Sequence, residues 1–282
     1  MTEKPTGGPS LAAEDVVVRY GPRTALGPVA LEFEPSTTTA VVGPNGCGKS
    51  TLLRSLARLV TPSVGTVYLD GAAITNLPTR AVARSLAVLP QAPSTPDGVT
   101  VAELVEQGRY AHVGPLRMLR RRDYDAVERA LEVTGVARFR HRTMDRLSGG
   151  ERQRAWIAVT LAQEPQIMLL DEPTTFLDIR HQLEILELIR RLNHERGITI
   201  VVALHDVNHA ARYADRLVAL KGGAVVADGP PAALLTPQLI EAVFDVSATV
   251  LRDPRTGVPV CIPYLPAGRA TSMPDDRPGA MA

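Results

Sequence analysis

The sequence has few of the features that mark membrane-spanning, secreted or nucleic-acid-binding chains. Its 282 residues include two cysteines and carry a formal net charge of +1, which indicates neither a disulfide scaffold nor a nucleic-acid partner. The longest apolar runs, such as residues 198–204, fall far short of the ~20 residues that span a bilayer as a helix. Residues 1–10 also lack the pattern of a signal peptide. We therefore expect a globular protein of a reducing cytosol.

The sequence nevertheless carries a clear alternation of strands and helices. Strands are predicted where short apolar or β-branched runs occur, at residues 15–20, 37–42, 65–70, 167–170 and 198–204. Between the last two, Ile185, Leu188, Ile189 and Leu192 keep the spacing of one helical face. Strands that alternate with helices predict an α/β fold with a parallel sheet covered on both faces.

Residues 92–162 have a different character, because helix signals dominate there. Thr100 and Glu103 form a capping-box pattern, and residues 123–133 have one apolar face. We interpret residues 92–162 as a helical subdomain inserted into a core domain of residues 11–245.

Turn-forming glycine and proline residues predict two hairpins nearer the carboxyl end. Gly222 and Gly223 separate two short strands, and residues 253–257 separate two others. Residues 246–264 are thus predicted to form a β-hairpin extension. The flanking residues 1–10 and 265–282 are polar and are expected to be disordered.

One glycine-rich segment follows a predicted strand and opens a helix, as a phosphate-binding loop does. It consists of Gly43, Pro44, Asn45, Gly46, Cys47, Gly48, Lys49, Ser50 and Thr51. Its backbone N–H groups could surround a phosphate at the positive end of the helix, with Lys49 adding a mobile positive charge and Ser50 a hydroxyl for Mg²⁺. The alternative is a plain glycine-rich turn. The chain has only three lysines, however, which argues against a lysine standing at this position by chance.

Two acidic residues end the apolar run at residues 167–170. Asp171 is placed to hold Mg²⁺ through water, and Glu172 to act as a general base toward an attacking water. Two acids that cap a turn before Pro173 are the structural alternative.

The segment Leu147-Ser148-Gly149-Gly150-Glu151 resembles the signature of the ATP-binding cassette (ABC) family, which usually reads LSGGQ. Taken alone, Ser148 and Glu151 would form the capping box of a helix. The resemblance implies a P-loop NTPase of the ABC type, with a RecA-like parallel-sheet core, an N-terminal antiparallel β subdomain and a helical subdomain. It also implies that ATP is held between the phosphate-binding loop of one copy and Ser148, Gly149 and Gly150 of a second copy, in a head-to-tail dimer.

Four further positions match the family one at a time. Tyr20 stands where the family stacks adenine, and Gln91 matches the glutamine that touches Mg²⁺ or water. His205 matches the switch histidine at the γ-phosphate, and Asp178 matches the aspartate that crosses the dimer interface. As local structure, Tyr20 could be a core aromatic, and Asp178 a helix N-cap.

Two hypotheses concern residues outside this set of matches. Cys47 lies near Lys49 and a helix N-terminus, which could lower the pKa of its thiol, although it could equally be a small residue at a variable position. Arg109, Arg117 and residues 120–122 form a basic cluster, which is either a solvated face or a surface for acids on a permease loop.

The order of these motifs implies the ATPase of a transporter whose permease lies on separate chains. Three stretches resemble the ATPases of ferric-siderophore importers, which are close relatives of those for haem and cobalamin: residues 99–105 with 108–110, residues 174–182 and residues 253–263. The implied setting is the cytoplasmic face of the membrane, with ATP and Mg²⁺ bound, permease subunits as partners, an external binding protein as an indirect partner, and no nucleic acid. Two alternatives are a soluble cassette of translation or DNA repair, which usually has two cassettes or a coiled-coil insertion, and a non-hydrolysing regulatory cassette.

Overall fold

The computed structural model describes residues 10–95, 97–114 and 118–265. Its strands are β1 (Leu11–Tyr20), β2 (Arg23–Phe33), β3 (Thr38–Val42), β4 (Val64–Leu69), β5 (Ala72–Ala73), β6 (Leu86–Leu89), β7 (Ile167–Asp171), β8 (Thr199–Ala203), β9 (Arg216–Lys221), β10 (Ala224–Gly229), β11 (Ser247–Arg252) and β12 (Pro259–Tyr264). Its helices are α1 (Lys49–Leu56), α2 (Thr79–Ser85), α3 (Val101–Glu106), α4 (Tyr110–Val113), α5 (Arg121–Val133), α6 (Gly149–Ala162), α7 (Ile179–Arg196), α8 (Val207–Tyr213), α9 (Pro231–Leu234) and α10 (Pro237–Phe244). No helix in these described ranges is both long and apolar enough to cross a bilayer.

An antiparallel sheet forms the amino-terminal part of the described chain. Its strands lie in the order β2-β1-β4-β5. The strand predicted at residues 15–20 is the second half of β1, whereas β2 was not predicted because Gly27 and Pro28 interrupt its pattern. Gly27 has φ +114, and a Cβ there would lie 2.4 Å from the Val16 carbonyl oxygen, so only glycine fits against β1.

The central sheet has the strand order β10-β9-β3-β8-β7-β6. β3 pairs in parallel with β8 and β9, and β7 pairs in parallel with β6 and β8, which confirms the predicted parallel sheet. Both faces are covered, because alternate residues of one strand enter different cores. Met168 and Leu170 pack with helices α3, α5, α6, α7 and α8, while Ile167 and Leu169 pack with α1 and the antiparallel sheet. The carboxyl ends of β3, β6, β7 and β8 therefore meet at one edge.

Between β6 and β7 the described chain is helical, with α3, α5 and α6 packed around a shared apolar core. The capping box predicted at Thr100 and Glu103 is confirmed at the start of α3. Apolar residues of α5, including Val127 and Leu131, are buried against this core. Residues 92–162 thus hold α3 to α6 in the structure.

The basic cluster predicted in this region does not form one surface. Arg109 is buried, and its guanidinium donates to Asp123, to the carbonyl of Ala162 and to Glu164. It is a structural residue that holds α5 and α6 together, so the docking hypothesis is wrong for it. Residues 120–122 are exposed, while Arg117 lies outside the described residues.

Both predicted hairpins are present. β9 pairs with β10 and β11 pairs with β12, each pair antiparallel. The second hairpin packs beside α8 and α10 in a small core of Ala211, Leu235, Ile240, Ala248 and Cys261. The predicted disordered ends lie almost wholly outside the described residues, at 1–9 and 266–282.

Candidate functional site

The glycine-rich loop leaves β3 at the edge where the parallel strands end. Its glycines adopt positive φ, with Gly43 at +150°, Gly46 at +75° and Gly48 at +111°. Gly48 caps α1 without any side-chain hydrogen bond, so the first N–H groups of this helix have no side-chain acceptor and can bind an anion. A Cβ on Gly43 would lie 2.2 Å from the Leu220 carbonyl oxygen, which explains the glycine at that position.

Lys49 begins α1 and is buried against the loop itself. Its Nζ donates to the carbonyl oxygen of Gly43 at 2.9 Å and lies 3.8 Å from Oε1 of Glu172. The ammonium group is therefore held at the mouth of the loop by backbone carbonyls and by one buried carboxylate. A charge held there acts on whatever anion the loop surrounds.

Ser50 and Asp171 meet where β3 and β7 end. The Ser50 hydroxyl donates to Oδ1 of Asp171 at 2.9 Å, whereas Oδ2 is buried and has no hydrogen-bond partner among the described residues. Burial raises the pKa of Asp171 and the neighbouring Glu172 adds to this, while the Ser50 hydrogen bond and the charges of Arg54 and Lys49 offset only part of the rise. A hydroxyl beside an unpaired buried carboxylate oxygen is a donor set that fits Mg²⁺. The described residues contain no cluster of three acidic, His or Cys groups that could hold a metal, so phosphate and water oxygens would have to complete such a site.

Glu172 is the centre of the polar contacts at this edge. Its Oε2 accepts a hydrogen bond from Nε2 of Gln91 at 2.5 Å and lies 2.5 Å from Nε2 of His205. Glu172 is buried and has φ +53°, a backbone conformation that costs energy outside glycine and is common at functional sites. The structure thus gathers Gln91, Glu172 and His205 from the ends of three strands.

These groups line one cavity of about 650 Å³. Tyr20 lies at its edge with 49% of its surface exposed, as an aromatic available for stacking and not as a core residue. Sequence reasoning missed four lining residues, namely Arg23, Ala25, Thr175 and Phe176. Arg23 could have been found, because it is a basic residue only three positions after Tyr20, the expected adenine contact.

The signature segment and Asp178 do not line that cavity. Ser148 accepts a hydrogen bond from the Glu151 amide, and Glu151 accepts one from the Ser148 amide, so the capping box of α6 is confirmed. Asp178 is the N-cap of α7 and binds Nδ1 of His181 at 2.8 Å. Within one chain, therefore, the capping interpretations hold, and Ser148 and Gly149 remain exposed.

The environment of Cys47 overturns one expectation. Its side chain is buried, with 3% exposed, and it packs against Gly43. Burial raises the pKa of the Cys47 thiol, and the opposing effect of Lys49 is smaller. The hypothesis of a lowered thiol pKa is wrong, because desolvation of the thiolate outweighs the nearby positive charge.

Comparison with known proteins gives a family match and close relatives. The family model described as ABC transporter matches residues 26–175. The chain is 49% identical over 258 residues to the "Probable siderophore transport system ATP-binding protein YusV" of Bacillus subtilis (strain 168), covering 92% of this chain and 94% of that one. It is 46% identical to the "Ferric enterobactin transport ATP-binding protein FepC" of Escherichia coli (strain K12), covering 90% and 93%.

A solved structure supports the same assignment. The fold matches the "Dimeric Structure of MJ0796, a Bacterial ABC Transporter Cassette" with a TM-score of 0.70 and 29% sequence identity, covering 78% of this chain and 98% of that chain.

Proposed function

The chain belongs to the ABC transporter family, and from this premise we propose that it is the ATP-hydrolysing subunit of an importer of ferric siderophores. As a member of this family it is an ATPase that binds ATP. The observation that carries the proposal is one cavity lined by six residues of the glycine-rich loop and by Gln91, Glu172 and His205, with Asp171 hydrogen-bonded to the lining residue Ser50.

The proposed role of each group follows from its position. Tyr20 stacks on adenine, while the amides of residues 43–51 and Lys49 hold the phosphates. Ser50, Asp171 and Gln91 would hold Mg²⁺, which would supply charge neutralisation at the phosphate oxygens. Gln91 donates a hydrogen bond to Glu172 in the structure, so its position would respond to protonation or movement of that carboxylate.

Glu172 is the proposed general base and His205 the proposed contact to the γ-phosphate. For Glu172 to accept a proton, an attacking water must come within hydrogen-bond reach of one of its carboxylate oxygens. Gln91 and His205 both contact Oε2 in the structure. A water that approaches Oε2 would compete with these two contacts, whereas the other oxygen, Oε1, lies 3.8 Å from Nζ of Lys49.

A second copy of the chain supplies what this cavity lacks. Ser148, Gly149 and Gly150 stand at the amino end of α6, where backbone amides favour an anion. Since they lie outside the cavity of their own chain, we propose that they bind the γ-phosphate held by a partner, with Asp178 beside them at the interface. This corresponds to a head-to-tail dimer of the chain.

The proposed assembly is peripheral to the membrane. The chain would bind permease subunits at the cytoplasmic face, and ATP-driven closing and opening of the dimer would shift the permease between states. An external binding protein would deliver the cargo to the permease, so cargo recognition lies outside this chain. The exposed arginines at residues 120–122 remain candidates for contact with acidic permease residues, to be tested by charge reversal.

Siderophore import is testable in the organism that carries the gene. Deletion is expected to abolish uptake of radioactive iron from at least one ferric siderophore, with rescue by the wild-type gene and no rescue by Lys49→Ala. Uptake of haem and cobalamin serves as the comparison. Normal uptake of every ferric siderophore, together with loss of haem or cobalamin uptake, would reassign the cargo.

A further inference from the structure

The hairpin of β11 and β12 lies outside the residues matched by the family model, which end at 175, and the proposed catalytic roles do not use it. It packs directly beside α8, the helix that follows His205. Asp206, the next residue, is the N-cap of α8 and accepts hydrogen bonds from the amides of Asn208 and His209. The backbone of His205 is therefore held on its amino side by β8, where the Leu204 amide donates to the Val41 carbonyl oxygen, and on its carboxyl side by α8.

One side chain of α8, that of Asn208, acts as both hydrogen-bond donor and acceptor toward the hairpin. Nδ2 of Asn208 donates to the Cys261 carbonyl oxygen at 3.1 Å, and the Cys261 amide donates to Oδ1 of Asn208 at 2.7 Å. The amide of Asn208 thus pairs with the edge of β12 as a neighbouring strand would.

The sequence of β12 leaves few backbone N–H groups at the edge that Asn208 contacts. Backbone N–H groups two residues apart in a strand point to the same side, so Pro259, Cys261 and Pro263 share one edge. Proline has no N–H, which leaves Cys261 as the donor among these three. The Cys261 N–H donates its hydrogen bond to Oδ1 of Asn208.

The hairpin and His205 also border the same space. A mostly apolar cavity of about 510 Å³ is lined by His205 and Asp206, by Cys261 and Pro263 of the hairpin strand β12, and by Ile240 of α10. Movement of β12 would therefore change the surroundings of His205 from two directions, through α8 and across this cavity.

We propose that the hairpin of β11 and β12 positions His205 for catalysis, with Asn208 as the positioning residue through which it acts. The inference rests on the proposed role of His205 at the γ-phosphate. The nucleotide cavity contains neither the hairpin nor Asn208, so the expected effect is on kcat and not on ATP binding.

The test is ATP hydrolysis by the purified full-length chain carrying Asn208→Ala. We expect kcat to fall roughly tenfold, as for a displaced catalytic group, with KM for ATP unchanged within about twofold. Asn193→Ala is the matched control, because its amide also donates to a backbone carbonyl, that of Ile198, at the far end of α7. It is expected to lower thermal stability without lowering kcat.

A second variant reaches the same contact from the hairpin. Cys261→Pro removes the donated N–H, whereas Cys261→Ala retains it, so the proline variant is expected to impair kcat more. Equal effects of the two would assign the loss to side-chain packing and overturn the inference.

Combination with His205→Ala separates positioning from general stability. If Asn208 acts through His205, Asn208→Ala has no further effect on the residual phosphate release of His205→Ala, measured with radioactive ATP. An equal tenfold loss in both backgrounds would overturn the inference. An inactive His205→Ala beside a fully active Asn208→Ala would do the same, and a fully active His205→Ala would instead refute the proposed role of His205.

Discussion

Replacing Glu172 with glutamine tests the chemistry of the site most directly. Glutamine has the same shape and keeps one side-chain oxygen able to accept from Gln91 or His205, but it cannot take a proton from water. Removal of a general base typically costs about 10²–10⁴ in rate, which corresponds to about 3 to 5 kcal/mol in the barrier. We expect kcat for Glu172→Gln to fall by this factor.

The same substitution should leave the fold intact. The attraction between Lys49 and Glu172 across 3.8 Å is worth about 4 kcal/mol at an effective dielectric constant of 20. Two effects oppose it, namely the cost of burying both charges and the repulsion between Glu172 and Asp171 that helps to raise the Asp171 pKa. Neutral glutamine removes that repulsion and the burial cost of its own carboxylate, and Lys49 keeps its hydrogen bonds to the carbonyl oxygens of Gly43 and Pro44, so the melting temperature should change by only a few degrees.

The assay is steady-state phosphate release together with gel filtration in the presence of ATP. The variant should bind ATP and elute as a dimer, because hydrolysis no longer reopens it, whereas wild-type chain returns to monomer as ATP is consumed. Glu195→Gln is the control, since Glu195 is an exposed residue near the end of α7. Turnover by Glu172→Gln within about twofold of the wild-type rate would refute the role of Glu172 as base.

Three further outcomes are expected. Gly43→Ala should destabilise the chain by about 1–3 kcal/mol or more in thermal unfolding, because its Cβ meets a carbonyl oxygen, and it should cost more than Gly46→Ala, where the space is open. Cys47 should react with a maleimide at least about tenfold more slowly in the folded chain than in urea at neutral pH, since burial raises its thiol pKa; equal rates would contradict its burial. Arg109→Ala should cost about 3–5 kcal/mol in denaturant unfolding because it leaves Asp123 buried and unpaired. Burial opposes ionisation of Asp123, but the Arg120 amide and Arg109 hold its pKa below the usual 3.8. This stabilisation should therefore be complete above pH 3.8 and lost as the pH falls through the lowered pKa. An Arg109→Ala variant whose stability had the wild-type pH dependence would contradict this explanation.

Local signals in the sequence predicted the elements whose physics is local. The capping boxes at Thr100 and Ser148 depend on residues three positions apart, and the strand at residues 167–170 is a continuous apolar run because both of its faces are buried. β2 was missed because Gly27 and Pro28 are typical of a turn in the local sequence, whereas Gly27 is in fact required by the close approach of β1.

The sequence by itself determined which chemical groups are present and in what order: a phosphate-binding loop, an acidic strand end, a signature segment and a histidine. Each of these signals is specific because it combines residue types at fixed spacing. The tertiary structure alone decided which of these share a cavity, because the parallel sheet brings distant strand ends together. It placed Gln91 and His205 on one oxygen of Glu172 and left Ser148 on another surface. It also buried Cys47 and Arg109, reversing two expectations that were drawn from neighbouring charges, since burial depends on residues far away in the sequence.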